Sequence, residues 1–426
     1  MEIRKRIDSS KLRLEAESKN IPLLKLLMEK IKILSKKENV GYTLFAVCPN
    51  SENVLKASLR AAKRANAPIL FAATLNQVDF DGGYTGWTPK NLVRKVKEES
   101  YRIGYEGAVI ICVDHGGPYV KDIQTTEKWN IERSMNWIKK SFEEAVLAGY
   151  ELLHIDPTVD IFEKSIKINT VVDRTLDLIL HVENFRKKKK IKSLSYEVGT
   201  EEVHGGLADM KLFKEFLKLL KEGLKREGID YVWPIFIVAK VGTDLHTTTF
   251  DLEVAREVVG IAGKYGSYIK GHYTDFVTNP SDYPKSGIGA ANVGPEFTVF
   301  EYDALKELSL IEDNLYMRDK IACKSIFMEK LKNAVVSSGR WKKWLQEDER
   351  DFDSLSEERK DWILKTSSRY VWALPEIRCA QNTLLKNLEL NGIDGENWIL
   401  ANIEKAIDKY FIKFNLLNLN TKLMEI

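Results

Sequence analysis

Cysteine is scarce in this chain. Cys48, Cys112, Cys323 and Cys379 are the only four in 426 residues, and no two stand in a Cys-x-x-Cys pair. That excludes a thiolate zinc site and fits thiols kept reduced, each expected as an ordinary buried side chain. Long apolar runs are missing too. No window approaches the roughly 20 apolar residues of a membrane helix, and the N-terminal stretch is charged where a signal peptide would be apolar. The expectation is a soluble, cytoplasmic protein without membrane contact. Neither sign of charge dominates: 65 Lys and Arg face 62 Asp and Glu, for a formal net charge of +3. Nothing at whole-chain level suggests a field for nucleic acid, so partners must be sought in local sites. Repeats at solenoid spacing and low-complexity linkers are also absent.

What is present is a change of period along the chain. Residues from about Leu12 to Lys37 carry apolar side chains at helical spacing and end in a lysine-rich turn, which predicts a helix. Short apolar runs follow, separated by amphipathic stretches: Tyr42–Val47, Ile69–Ala73, Ala108–Val113, Glu151–Ile155, Ser193–Val198, Trp233–Ala239, Ser267–Ile269 and Gly287–Val293. Runs with little polar alternation, each followed by a helix-forming stretch, are what a parallel sheet covered on both faces requires. Eight units argue for closure into an α/β (β/α)8 TIM barrel; the alternative is an open doubly wound sheet. Beyond about Asp303 the pattern turns helical, at Ala304–Leu310, Leu315–Val335, Ser354–Lys365, Ala380–Leu390 and Trp398–Phe414. The expected organisation is a helical lead-in over 1–40, a barrel over 41–303 and a C-terminal helical domain over 304–426. The tail's large aromatics, among them Trp341, Trp344, Tyr370 and Trp372, suit a helical core that closes the barrel mouth. The basic run Arg186–Lys190 precedes a predicted strand and reads as a solvated loop.

In a barrel, chemistry collects where strands end. The chain has six histidines, and His115, His246 and His272 each close a predicted strand. Glu197 lies inside the fifth strand, where a carboxylate is costly unless paired or metal-bound. Three imidazoles and one acid make a shell for Zn2+ or another divalent metal such as Mn2+, Ni2+ or Co2+. Asp114, beside His115, is placed to move a proton on a substrate hydroxyl, and Glu201 and Glu202 occupy a glycine-bounded loop able to bring in a second acid or base. The loop after the second strand, with Gln77 and Tyr84, offers amides, hydroxyls and ring faces for a polyol, and Asn292 at the end of the eighth strand and Asp275 after the seventh are further substrate-binding candidates. His154, His181 and His204 read as structural.

The stretches Asn76-Gln77 with Gly82-Gly83-Tyr84-Thr85-Gly86, Asp114-His115 with Gly117-Pro118, Tyr196 to Glu201, His272-Tyr273-Thr274-Asp275 and Asn292 to Pro295 together resemble the class II tagatose-bisphosphate aldolase Z-subunit family. That family is described as a non-catalytic or accessory subunit. The likeness runs from about Gly41 to Pro295 and continues faintly in Ser368-Arg369-Tyr370-Val371-Trp372. The family is similar in turn to zinc-dependent class II ketose-bisphosphate aldolases. By that resemblance Asp114 is the catalytic aspartate, His115, His246 and His272 are zinc ligands, Glu197 is the glutamate beside the metal and Glu202 is the loop acid. It implies C3–C4 chemistry on a ketose or ketose phosphate of the fructose or tagatose type, as epimerisation or aldol cleavage. The alternative is a subunit that stabilises a separate catalytic aldolase, and a homo-oligomer is also compatible. Where the aldolases continue with a glycine–serine phosphate loop, this chain has Tyr273-Thr274-Asp275, and Asp275 in that place would oppose a phosphate.

Overall fold

The computed structural model describes residues 9–163, 166–199, 208–243 and 247–426. Eight parallel strands close on themselves in chain order: β1 (Leu44–Val47), β2 (Ile69–Thr74), β3 (Val109–Gly116), β4 (Leu152–Ile155), β5 (Ser195–Gly199), β6 (Phe236–Val238), β7 (Tyr268–Gly271) and β8 (Ala290–Val293). The expected barrel is therefore the fold. Between strands run α3 (Glu52–Ala65), α4 (Pro89–Ile103), α5 (Asp122–Thr126), α6 (Ile131–Ala148), α7 (Ile168–Lys188), α8 (Met210–Arg226), α9 (Leu252–Lys264) and α10 (Asp282–Ser286).

The lead-in differs from a single helix. It divides into α1 (Ser10–Ser18) and α2 (Leu23–Glu38), because Asn20 turns left-handed and Pro22 can only begin a new helix. Beneath the barrel, Met28 of α2 lies beside Gly289, and its carbonyl accepts from the Tyr268 hydroxyl at 3.4 Å. The basic run before β5 is half helical: Arg186, Lys187 and Lys188 complete α7, with Arg186 gripping Glu183. Cys48 and Cys112 are buried, but Cys323 and Cys379 are exposed, against the expectation for all four.

After β8, α11 (Pro295–Met317) runs across residue 303 into α12 (Phe327–Ser338), α13 (Glu357–Ser367), α14 (Pro375–Glu389), α15 (Gly395–Lys413) and α16 (Leu419–Met424). The helix expected over Leu315–Val335 is broken, because buried Glu312 takes the Ser325 amide at 2.9 Å and its hydroxyl at 2.6 Å, folding the chain back. Phe45, on the outer face of β1, stacks on Tyr410 and meets Phe411 edge-on, so α15 covers this part of the barrel. Among the described residues no helix is long and apolar enough to cross a membrane.

Strand register decides what points inward. Cys112 pairs with Leu152, and Leu152 with Ser195, so Asp114, His154 and Glu197, each two residues on, share one face. Following the ladder through Phe236, Val238, Lys270 and Ala290 adds Lys270 and Asn292 to that inner face. His115 should then point outward. It does not, because it takes φ +49° where the β3–β4 register shifts between Val113 and Gly116, and this bulge turns it back toward the mouth. The next turn is equally tight: a Cβ on Gly117 would lie 1.8 Å from the Asp156 carbonyl oxygen. Gly117→Ala is expected to destabilise the fold by about 3 kcal/mol, since backbone has to move to admit the methyl. Denaturant unfolding measures this, and an unchanged midpoint would contradict the packing described.

Candidate metal centre at the barrel mouth

Asp114, His115, His154 and His272 each bring one ligand-type atom to a common place, all within 4.8 Å of one another. Three of these are expected site residues; His154 is the addition. How their remaining atoms are held decides what the place can bind. His115 Nδ1 lies 2.6 Å from Asp156 Oδ2, and His272 Nε2 lies 2.8 Å from Glu197 Oε1. Each carboxylate fixes a proton on the ring nitrogen it faces. The two remaining nitrogens, His115 Nε2 and His272 Nδ1, then face each other at 2.9 Å. Two lone pairs at that separation repel unless a proton or a cation lies between them.

The electrostatics agree. Burial alone would lower His115, but Asp114 and Asp156 outweigh it and raise the imidazole to about 9. For His272 burial wins, and it falls to about 4 despite Asp114 and Glu197. One ring thus attracts positive charge while the other stays a neutral donor. Asp114 is pushed up by burial, but His115, His272 and Lys270 hold it well below the usual carboxylate range. Its Oδ1 accepts from Asn292 Nδ2 at 2.9 Å, while Asn292 Oδ1 is buried with no partner.

Glu197 reaches the cluster from behind. One oxygen holds His272 and the other holds the ammonium of fully buried Lys270 at 2.7 Å, so both are already engaged. Lys270 outweighs the burial cost and takes Glu197 down to about 2. His154 Nδ1 accepts the main-chain N–H of His115 at 3.1 Å and so supports the bulge, and its Nε2 is buried and unpartnered on the side of Gly199. Two ring nitrogens that converge and a free carboxylate oxygen, with His154 bracing the bulge beside them, fit a borderline divalent cation such as zinc.

The other expected site residues divide into two groups. His246, Glu201 and Glu202 lie outside the described residues, as does His204. Gln77 is engaged within the protein: Oε1 takes the Thr74 amide at 2.8 Å, and Nε2 donates to Asn50 at 2.5 Å. Half-buried Tyr84 donates to the same Asn50 oxygen at 3.0 Å. Asp275 Oδ1 accepts from the amides of Gly294 and Glu296, at 3.0 and 2.7 Å, and thereby fills the N-terminus of α11. His181 pairs with Glu143 on the outer surface. Lys270 and Asn50 are not legible as site residues in the sequence, since neither stands in a metal-binding or catalytic spacing.

Among solved structures the fold is similar to that of a probable tagatose 6 phosphate kinase from Sinorhizobium meliloti 1021, with a TM-score of 0.71 and 21% identity over 87% of this chain and 100% of that one. It is also similar to a fructose-bisphosphate aldolase from Campylobacter jejuni, with a TM-score of 0.50 and 14% identity over 92% and 94%. At such identities the likeness is one of fold. The sequence itself goes further: it matches, over residues 28–409, the family described as D-tagatose-1,6-bisphosphate aldolase subunit GatZ/KbaZ-like, and the chain belongs to that family.

Proposed function

We propose that the chain is a metal-dependent class II aldolase-type enzyme that breaks and remakes the C3–C4 bond of a ketose or ketose phosphate, as a 4-epimerase or an aldolase. The convergence of His115 Nε2 and His272 Nδ1 at 2.9 Å, where a cation can replace the bridging proton, beside a carboxylate held by Asn292, carries this reading. His115 and His272 would hold Zn2+ or a similar ion, with Asp114 and His154 beside it, and His246 is the further ligand that the resemblance implies. Such an ion supplies charge stabilisation for the ketone oxygen as it becomes an enediolate.

The chain's own groups do the rest. Asn292 fixes Asp114 by Oδ1, leaving Oδ2 to take the C4 hydroxyl proton. As that oxygen becomes an aldehyde, the C3–C4 bonding pair passes to the ketose fragment. The unpartnered Asn292 Oδ1 is an acceptor for a substrate hydroxyl. In an epimerase the aldehyde presents its other face, the bond re-forms and Asp114 returns the proton. In an aldolase the aldehyde leaves, and Glu202 or Glu201 protonates C3. A bisphosphate substrate is disfavoured, because Asp275 occupies the α11 amides where a barrel commonly seats phosphate.

The family description, which names a subunit, favours a second reading in which the chain supports a separate catalytic aldolase. Incubating the purified, metal-reconstituted chain with fructose, tagatose and their phosphates separates the two. A 4-epimer or a triose is expected, and Asp114→Asn should lower turnover by about 100- to 10,000-fold. No product from any of these sugars with metal bound would overturn the enzyme and leave the accessory subunit.

Asp275 gives a further expectation. Burial raises its carboxyl to about 7, overriding the two backbone amides and the charge of Arg369. A carboxyl raised on folding binds more protons in the native state, so its contribution to stability is complete below the unfolded pKa near 4 and is lost as pH rises through about 7. Relative to Asp275→Asn, the wild type should lose up to about 1 kcal/mol per pH unit across that window. Parallel denaturation profiles of the two proteins would contradict it.

A further inference from the structure

We propose that the C-terminal segment supplies an oxyanion subsite at the barrel mouth, built from Arg369, Arg340 and Lys343, that takes the anionic end of the ketose substrate. The inference rests on the functional reading above and narrows it to an acidic ketose, whether phosphomonoester or carboxylate.

Arg369, in the short helical turn after α13, is only 6% exposed, and among the described residues it makes no ion pair. Its guanidinium donates to the Thr366 carbonyl and to the Tyr370 hydroxyl, and lies over the rings of Trp344 and Tyr370 at 5.4 and 4.6 Å. Neither oxygen is charged, and several of its five donors remain for a ligand. A guanidinium taken out of water without a carboxylate is costly unless an anion completes it. The groups around it are donors as well. Arg340 lies 4.5 Å over the Tyr370 ring and Lys343 4.7 Å, while Arg340 Nε and Trp344 Nε1 are buried without an acceptor. Among the described residues Asp122 is the one carboxylate paired with this group, 2.5 Å from Arg340 and 3.7 Å from Lys343. Three cations thus share one acid, and the forked guanidinium geometry suits phosphate or carboxylate oxygens.

The cluster is joined to the candidate metal centre's rim. The Tyr370 ring meets Tyr84 edge-on at 5.2 Å, Tyr84 donates to Asn50, and Asn50 donates to the Gly294 carbonyl at the start of α11. That helix end is filled by Asp275, so positive charge for a substrate anion has to come from elsewhere, and the C-terminal segment brings it. The side chains of Arg340 and Lys343 are 26% and 39% exposed, which leaves the cluster open to solvent on one side.

Calorimetric binding to the full metal-loaded chain tests the proposal with D-tagatose 6-phosphate, D-fructuronate and neutral D-tagatose. At least one anionic ketose should bind about tenfold or more tighter than the neutral one, and its identity tells phosphate from carboxylate. Arg369→Lys, which keeps the charge and loses the fork, and Arg340→Gln, at a partly exposed position, should each lower that anionic-to-neutral ratio by about tenfold. A wild-type ratio near one, or a ratio unchanged in both variants, would overturn the subsite. Binding is read without turnover, so a chain that prefers acidic ketoses yet converts none removes only the catalytic reading. One that converts neutral ketoses without preference removes only the subsite.

Discussion

Carboxylates taken out of water at the mouth of the barrel have to be matched by positive charge, and the architecture of the site follows from that requirement. Asp114, Asp156 and Glu197 are all buried, and Lys270 is the permanent cation set against them. One ammonium against three acids leaves two negative charges, a deficit that a proton on His115 halves and a divalent cation removes. The acids also set the direction in which the rings can bind. Asp156 and Glu197 each occupy the far side of an imidazole, so His115 Nε2 and His272 Nδ1 converge on the inner side. A chain built only to fill a barrel would have no use for two ring nitrogens aimed at each other.

Much of this was legible in the sequence because a parallel strand delivers its last residues to one rim, so polar residues at strand ends mark the site. The eight apolar runs gave the barrel, and Asp114, His115, Glu197, His272 and Asn292 stood where those runs stop. What was not legible depends on register. His154 stood one residue from the end of its run, as Glu197 does, but resembled any satisfied histidine; only its pairing with Glu197 across β4 and β5 shows that it faces the same rim. Lys270 fell just past the expected end of the seventh strand, where a lysine ordinarily meets solvent, and the ladder carries it inward instead. The engagement of both Glu197 oxygens follows from that lysine, which is why a glutamate legible as a ligand stands behind the histidines.

The C-terminal helices share the same logic. The tail's aromatics do form a core, through Trp341, Tyr370, Trp372 and Tyr410, and they do more than fill space. Tyr370 sets Arg369 and Arg340 against Tyr84 of the β2 loop, and Tyr410 binds Glu296 at the first turn of α11, close to Asp275. Residues some three hundred positions apart are thereby brought to one rim, and no local period in the sequence announces such a contact. The break near residue 320 has the same character, since a single buried acid, Glu312, decides it from another turn of chain.

Metal analysis of the purified chain, reconstituted with zinc or manganese and followed by X-ray absorption at the metal edge, decides whether His115 and His272 hold a cation. About one divalent ion per chain is expected, with imidazole nitrogens in its shell, and it should be lost when His272 is replaced by alanine. A chain that binds no ion tightly while its fold and its histidines are intact would contradict it.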